Sequence, residues 1–157
     1  MNKIKPELIS LFQIRIYKLA ISTLPEILEN PAKPANFKVS YSQNSAFNFD
    51  LKNIRIRLEI LLDGLDDKDQ SLGIHGDFGI EFHFHIENLE NFLEESDGIK
   101  KVSSILGSTL VSIAFSTARG IILERSQNTI LNGIILPIID PNQLIKEMPL
   151  HPESKSE

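Results

Sequence analysis

Two histidines, His83 and His85, stand at alternate positions with Glu81 and Glu87 on either side of them, in a segment whose intervening residues are apolar. In a strand, alternate residues point the same way, so two imidazoles and two carboxylates would share one face and offer nitrogen and oxygen donors to one ion. The hydrated side of an amphipathic strand requires the same alternation, and no further ligand stands at a fixed spacing elsewhere. A metal-binding protein using His83 and His85 is therefore an alternative reading. No metal or other cofactor enters the principal one.

Other routes to catalysis find little support. Gly73, Gly76 and Gly79 fall inside a strand pattern, with no strand-to-helix turn to cradle a phosphate. Ser116 and Ser126 lack the context of an activated nucleophile, and the chain has no cysteine. The acids of DDKD (66–69) and NLENFLEESD (88–97) sit in polar segments where solvation is the default role. The expectation is a protein that is not an enzyme.

With 157 residues, the chain is long enough to bury a core without disulfides. One domain is expected over residues 11–148, with an extension at 1–10 and a polar, aperiodic, disordered tail at 149–157. The absence of cysteine suits a reducing cytoplasm. No export signal is read at the N-terminus, where Pro6 and Glu7 interrupt any apolar run. A net charge of −5 argues against a general nucleic-acid binder.

The elements expected to position these residues are four antiparallel strands followed by helices. The first covers residues 11–24, with a bulge near Tyr17 and Lys18 where the apolar positions change parity. A proline-rich crossover loop leads to a second strand at 37–43, a third from Ala46 to Leu62, and a fourth carrying the histidines. One register between the last two sets Arg55 opposite Glu81. After the charged segment, a long helix is expected over Lys100–Arg125. Ser104, Ser108, Ser112, Ser116 and Gly120 recur along it every fourth residue, beside a broad apolar stripe. Arg119 and the many hydroxyls argue against membrane insertion. A helix this apolar needs cover on two sides, one a sheet and the other, at the small-residue strip, a helix of a second subunit. An extended apolar link then leads to a short helix, with Asp140 as cap and Pro141 at its first position. The fold class expected is α+β, a four-stranded antiparallel sheet covered on one face by a long and a short helix.

Residues 106–145, LGSTLVSIAFSTARGIILERSQNTILNGIILPIIDPNQLI, resemble the helix, extended link and final helix of the SecB family of protein-export chaperones. The phrase Ala114-Phe115-Ser116-Thr117-Ala118-Arg119 matches the family's Leu-Phe-Pro-Tyr-Ala-Arg, and FQIRIYKLAIS (12–22) is similar to its first strand. The resemblance implies an ATP-independent chaperone that holds unfolded or non-native polypeptides and assembles as a homotetramer through its long helices. It implies a polypeptide-binding groove at Phe37, Val39, Tyr41, Leu144 and Met148, and a subunit contact at Ser104, Ser108, Val111, Ser112, Phe115 and Ser116. A role in protein export is one option. The acids with which export members dock the SecA motor are replaced here by Ala20 and Leu24, which puts handover to SecA in doubt. The alternative within the family is an interaction module dedicated to one protein partner, without general holding activity.

Overall fold

A computed structural model of the chain describes residues 2–147 and 151–152. Its centre is the hairpin of β3 (Asn53–Leu65) and β4 (Ser71–Ile86), where strict alternation puts Ile54, Ile56, Leu58, Ile60 and Leu62 on the same face as Phe78, Ile80, Phe82, Phe84 and Ile86. All ten are buried. β1 (Ile9–Ser22) pairs antiparallel with β4, and β2 (Asn36–Asn48) pairs antiparallel with β3. The chain therefore crosses from one edge of the sheet to the other between β1 and β2. The proline-rich segment makes that crossing, with a one-turn helix α1 (Pro25–Glu29) at its start. The residues His151–Pro152 add a short parallel strand beside β2. The fold class is the expected one, α+β with four antiparallel strands.

One register expectation is corrected. Beside the turn Leu65 pairs with Ser71, and extending that register would set Arg55 opposite Glu81. Beyond an irregularity, however, Asp63 pairs with His75, so Leu72, Gly73 and Ile74 stand against Gly64 alone. Gly73 has a φ of 73°, a conformation that glycine adopts without the penalty of a Cβ. The extra residues bring Arg57 opposite Glu81 and Arg55 opposite His83. Because the slip is by an even number, every side chain stays on its expected face.

Element boundaries also differ. The second and third strands do not divide near Ala46; β2 runs on to Asn48, and a turn over residues 49–52 precedes β3. The Asn48 side chain accepts the Leu51 N–H at 3.1 Å, and Lys52 takes a φ of 55° to close the turn. The long helix, α2, spans Ser104–Arg125 and not Lys100–Arg125. The preceding residues form a small hairpin, β5 (Leu93–Ser96) and β6 (Ile99–Val102), whose turn is Asp97-Gly98 with both φ values positive.

α2 lies across β3 and β4 and presses Leu106, Leu110, Val111, Ala114, Phe115, Ala118 and Ile122 into the core. It is the one helix among the described residues long and apolar enough to cross a membrane, and it is half occupied in covering its own sheet. The link after α2 returns along it, burying Ile134 and Leu136, and ends in α3 (Pro141–Glu147). Asp140 caps α3 as expected: its carboxylate accepts the Asn142 N–H at 2.9 Å.

Candidate functional site

On β2, Phe37, Val39 and Tyr41 lie opposite Gly64, Leu62 and Ile60, so all three point to the helix side of the sheet. They are half-buried at the edge of the core. The Tyr41 ring meets Phe115 of α2 edge-on, with centroids 5.2 Å apart. Its hydroxyl is sequestered with no hydrogen-bond partner among the described residues. Burial raises the Tyr41 pKa, and the positive charge of Arg119 opposes the rise. Arg119 also ties the link to α2, donating from Nε to the Leu136 carbonyl at 2.9 Å.

α3 packs on α2 and reaches β2, so Leu144 stands on the same side as the β2 row and is itself buried. Met148, expected to complete this groove, lies outside the described residues. A small cleft of about 150 Å³ opens between Ser112, Phe115 and Arg119 on one side and Ile138, Ile139 and Pro141 on the other. Ile135 and Ile138 of the link are 71% and 85% exposed. From sequence alone this link is expected only to connect the two helices. The unbroken apolar run Ile134-Ile135-Leu136, continued after Pro137 by Ile138 and Ile139, was the signal that one side of it must remain uncovered.

The residues expected at a subunit contact divide between the two sides of α2. Val111 and Phe115 face the sheet and are buried within the chain's own core, whereas Ser104 and Ser116 are exposed and Ser108 and Ser112 half-buried. Ile105 and Ile113 accompany the serines on the outward side. A Cβ added to Gly120 would meet nothing within 4 Å. The hydroxyls of Ser108 and Thr109 donate to the Ile105 carbonyl, and that of Thr117 to the Ile113 carbonyl. With their polarity satisfied inside the helix, these side chains leave the outward face small and largely non-polar.

The opposite face of the sheet is polar, and Glu81 is at its middle, 5% exposed. Arg15 of β1 and Arg57 of β3 flank it as cross-strand neighbours. Arg57 donates from Nε to Glu81 at 2.6 Å, His83 bonds the other carboxylate oxygen, and Arg15 approaches to 3.8 Å. Burial pushes the Glu81 pKa up, but the bonds from Arg57 and His83 outweigh it and hold the carboxyl below the usual range. His83 and His85 do share a face, as expected. His83 is committed to Glu81, however, and His85 bonds the Asn53 side chain at 3.0 Å. Among the described residues no group of three or more His, Asp or Glu side chains is placed to hold a metal ion.

No protein-family profile and no curated protein matches this sequence. Among solved structures, the SecB-like chaperone Rv1957 of Mycobacterium tuberculosis, in complex with a ChAD peptide from the Rv1956 HigA1 antitoxin, superposes with a TM-score of 0.61 at 12% identity. The match covers 85% of this chain and 91% of that one. A protein of unknown function from Streptococcus agalactiae also matches, with a TM-score of 0.41, 15% identity, and 83% and 97% of the two chains covered. With strand order, crossover, long helix, link and final helix all in place, the fold of this chain is SecB-like.

Proposed function

We propose that this protein is a non-catalytic, ATP-independent chaperone that holds unfolded or non-native polypeptides, works in the cytoplasm and acts as a homo-oligomer. The observation that carries the reading is the likeness in fold, over nearly the whole chain, to a SecB-like chaperone that holds a peptide from another protein. The half-buried row Phe37, Val39 and Tyr41, with Leu144 and the exposed isoleucines of the link nearby, supplies apolar surface on one side of the sheet. Surface of this kind can hold extended chains with little demand on their sequence. The oligomer, a tetramer by the resemblance, would form through the outward face of α2, where Ile105 and Ile113 lie among small residues. Handover to SecA is not part of the proposal: Ala20 is exposed on the polar face opposite Asp77, and Leu24 leads into α1 rather than lying on the sheet. A second reading, a module serving one dedicated partner, is favoured by the single antitoxin peptide held by the M. tuberculosis protein.

The test is a native mass measurement of the purified protein, alone and mixed with several unrelated polypeptides diluted from denaturant. A holding chaperone is expected to retain each unfolded chain and to ignore the same chains once folded. Retention of none would remove general holding and leave the dedicated module. Replacing Ser108 and Ser112 together with Leu should overpack the helix contact and lower the mass of the assembly. An unchanged mass would move the subunit contact elsewhere.

A further inference from the structure

The two outer strands of the antiparallel sheet are built differently. β1 changes register twice, between Leu11 and Gln13 and between Ile16 and Lys18, and carries Arg15 and Lys18 along its length. Bulges and cations are the usual means by which a sheet edge is made a poor template for another strand. β2 pairs with β3 in one unbroken register, contains no proline, and has Lys38 as its only charged residue. On its outer side Ala46 and Phe47 pair with the short strand His151–Pro152, and residues 36–42 face no strand among the described residues.

An edge of this kind turns a row of main-chain N–H and C=O groups outward, and an extended segment laid beside it satisfies them. The chain's own end already does so, running parallel to β2 at His151–Pro152. The apolar layer also thins out at this edge. Val39 and Tyr41 are only half-buried, whereas Leu62 and Ile60, opposite them on β3, are 2% and 1% exposed. Lys38 and Ser40, which alternate with this row, are exposed on the other face. A strand added beyond β2 would set every second side chain beside Phe37, Val39 and Tyr41 and leave the rest in water.

We infer that the outer edge of β2 over residues 36–42 takes an extended segment of a held polypeptide as an added strand, its alternate apolar side chains lying beside Phe37, Val39 and Tyr41. The inference rests on the holding function proposed above and says how the held chain is gripped. Main-chain hydrogen bonds are available from almost any sequence, and the half-buried row favours apolar residues at a spacing of two. The occupant is a non-native chain, because a folded protein has most of its main-chain groups already paired.

The test uses the full-length protein and an end-blocked, fluorescently labelled peptide of alternating Val and Ser. It is compared with two versions N-methylated on alternate residues, one at every Val amide and the other at every Ser amide. Methylation removes main-chain donors and leaves the side chains as they were. In an added strand one alternate set of amides points at β2 and the other at solvent. One methylated peptide should therefore bind about tenfold or more weakly than the parent, and the other within about threefold of it. Bound parent peptide should slow amide hydrogen exchange in residues 36–42 and not in Ile9–Ser22. Equal binding of all three peptides overturns the inference and leaves the holding function in place, since apolar contact would then suffice. Failure of all three to bind removes both. The inference is also overturned by loss of binding for both methylated peptides, by protection in β1 instead of β2, or by residues 36–42 being protected in the protein alone, which would show the edge closed by a second copy.

Discussion

On the helix side of the sheet, β3 and β4 present an unbroken apolar surface, and polarity enters only on β2, at the Tyr41 hydroxyl and at Gln43 and Ser45, which bond each other. On the other side the rule is reversed: the rows are charged or polar, and large apolar groups enter at Phe12, Tyr17 and Leu61. Regular alternation builds the sheet and is sufficient to explain β3 and β4. Apart from Leu61 on β3, the exceptions gather on β1 and β2, the strands that flank the central pair. Local departures from a pattern that the rest of the chain obeys are where a sequence gives up some stability for binding.

The contrast is broken most severely at the centre of the helix side. Phe82 is fully buried beneath α2, and Phe82→Ala should lower the unfolding free energy by about 3–5 kcal/mol in urea denaturation. Phe12→Ala on the other side removes the same ring from a mostly solvated site and should cost less than about 0.5 kcal/mol. A large loss at Phe12 would mean that the polar face is covered in the assembled protein and that the two sides are less different than they look in one chain.

Gly79 is the place where the exceptions on β1 depend on β4. A Cβ there would come within 2.5 Å of the Tyr17 ring, so Gly79→Ala should destabilise by about 1–3 kcal/mol. Combining it with Tyr17→Ala should recover most of that loss, because the clash needs both groups. Additive losses in the double variant would place the strain in the backbone of β4 and not in the ring that crosses it.

Alternation made β3, β4 and the helix side of the core legible, since it needs only the parity of residues such as Ile54 and Phe84. Parity also located the bulge at Tyr17, where two apolar series meet out of phase. What stayed hidden depended on residues that break the usual chemistry of turns or on pairing between distant strands. Phe49 and Leu51 are large and apolar but lie in the turn after β2, and they masked it; Phe49 stacks under the Lys100 ammonium instead of entering the core. The hairpin of β5 and β6 was masked by its charge, although Asp97-Gly98 was a usable signal. The open edge of β2 could not be read in advance, because which strand lies at the border of the sheet is decided by pairing between distant segments.

Glu81 sharpens the contrast from the polar side, as a buried charge held by its neighbours. Its carboxyl is more acidic in the folded chain than in the unfolded one, so its stabilisation is present above the ordinary carboxylate pKa of about 4.3 and is lost as pH falls through the folded value. Arg15, Arg57, Lys18, Glu59 and His83 surround it, and with Arg57 half exposed a net contribution of about 1 kcal/mol is expected. The stability gap between the wild-type chain and Glu81→Gln should be widest near neutral pH and should close in acid. A gap that widens in acid would reverse the sign and remove the network as its cause.

The smallest effect is expected at Tyr41, where the helix side admits a hydroxyl with no partner among the described residues. An unpaired buried hydroxyl costs its desolvation without the return of a hydrogen bond, so Tyr41→Phe should leave stability unchanged or raise it by up to about 1 kcal/mol. The edge-on contact with Phe115 would survive, and if the ring is what serves the groove, uptake of unfolded polypeptide should survive with it. If stability holds while uptake falls, the hydroxyl is kept for the client, as the one donor in an apolar row that can reach a carbonyl of an extended chain. If both are unchanged, the β2 row acts through apolar surface alone.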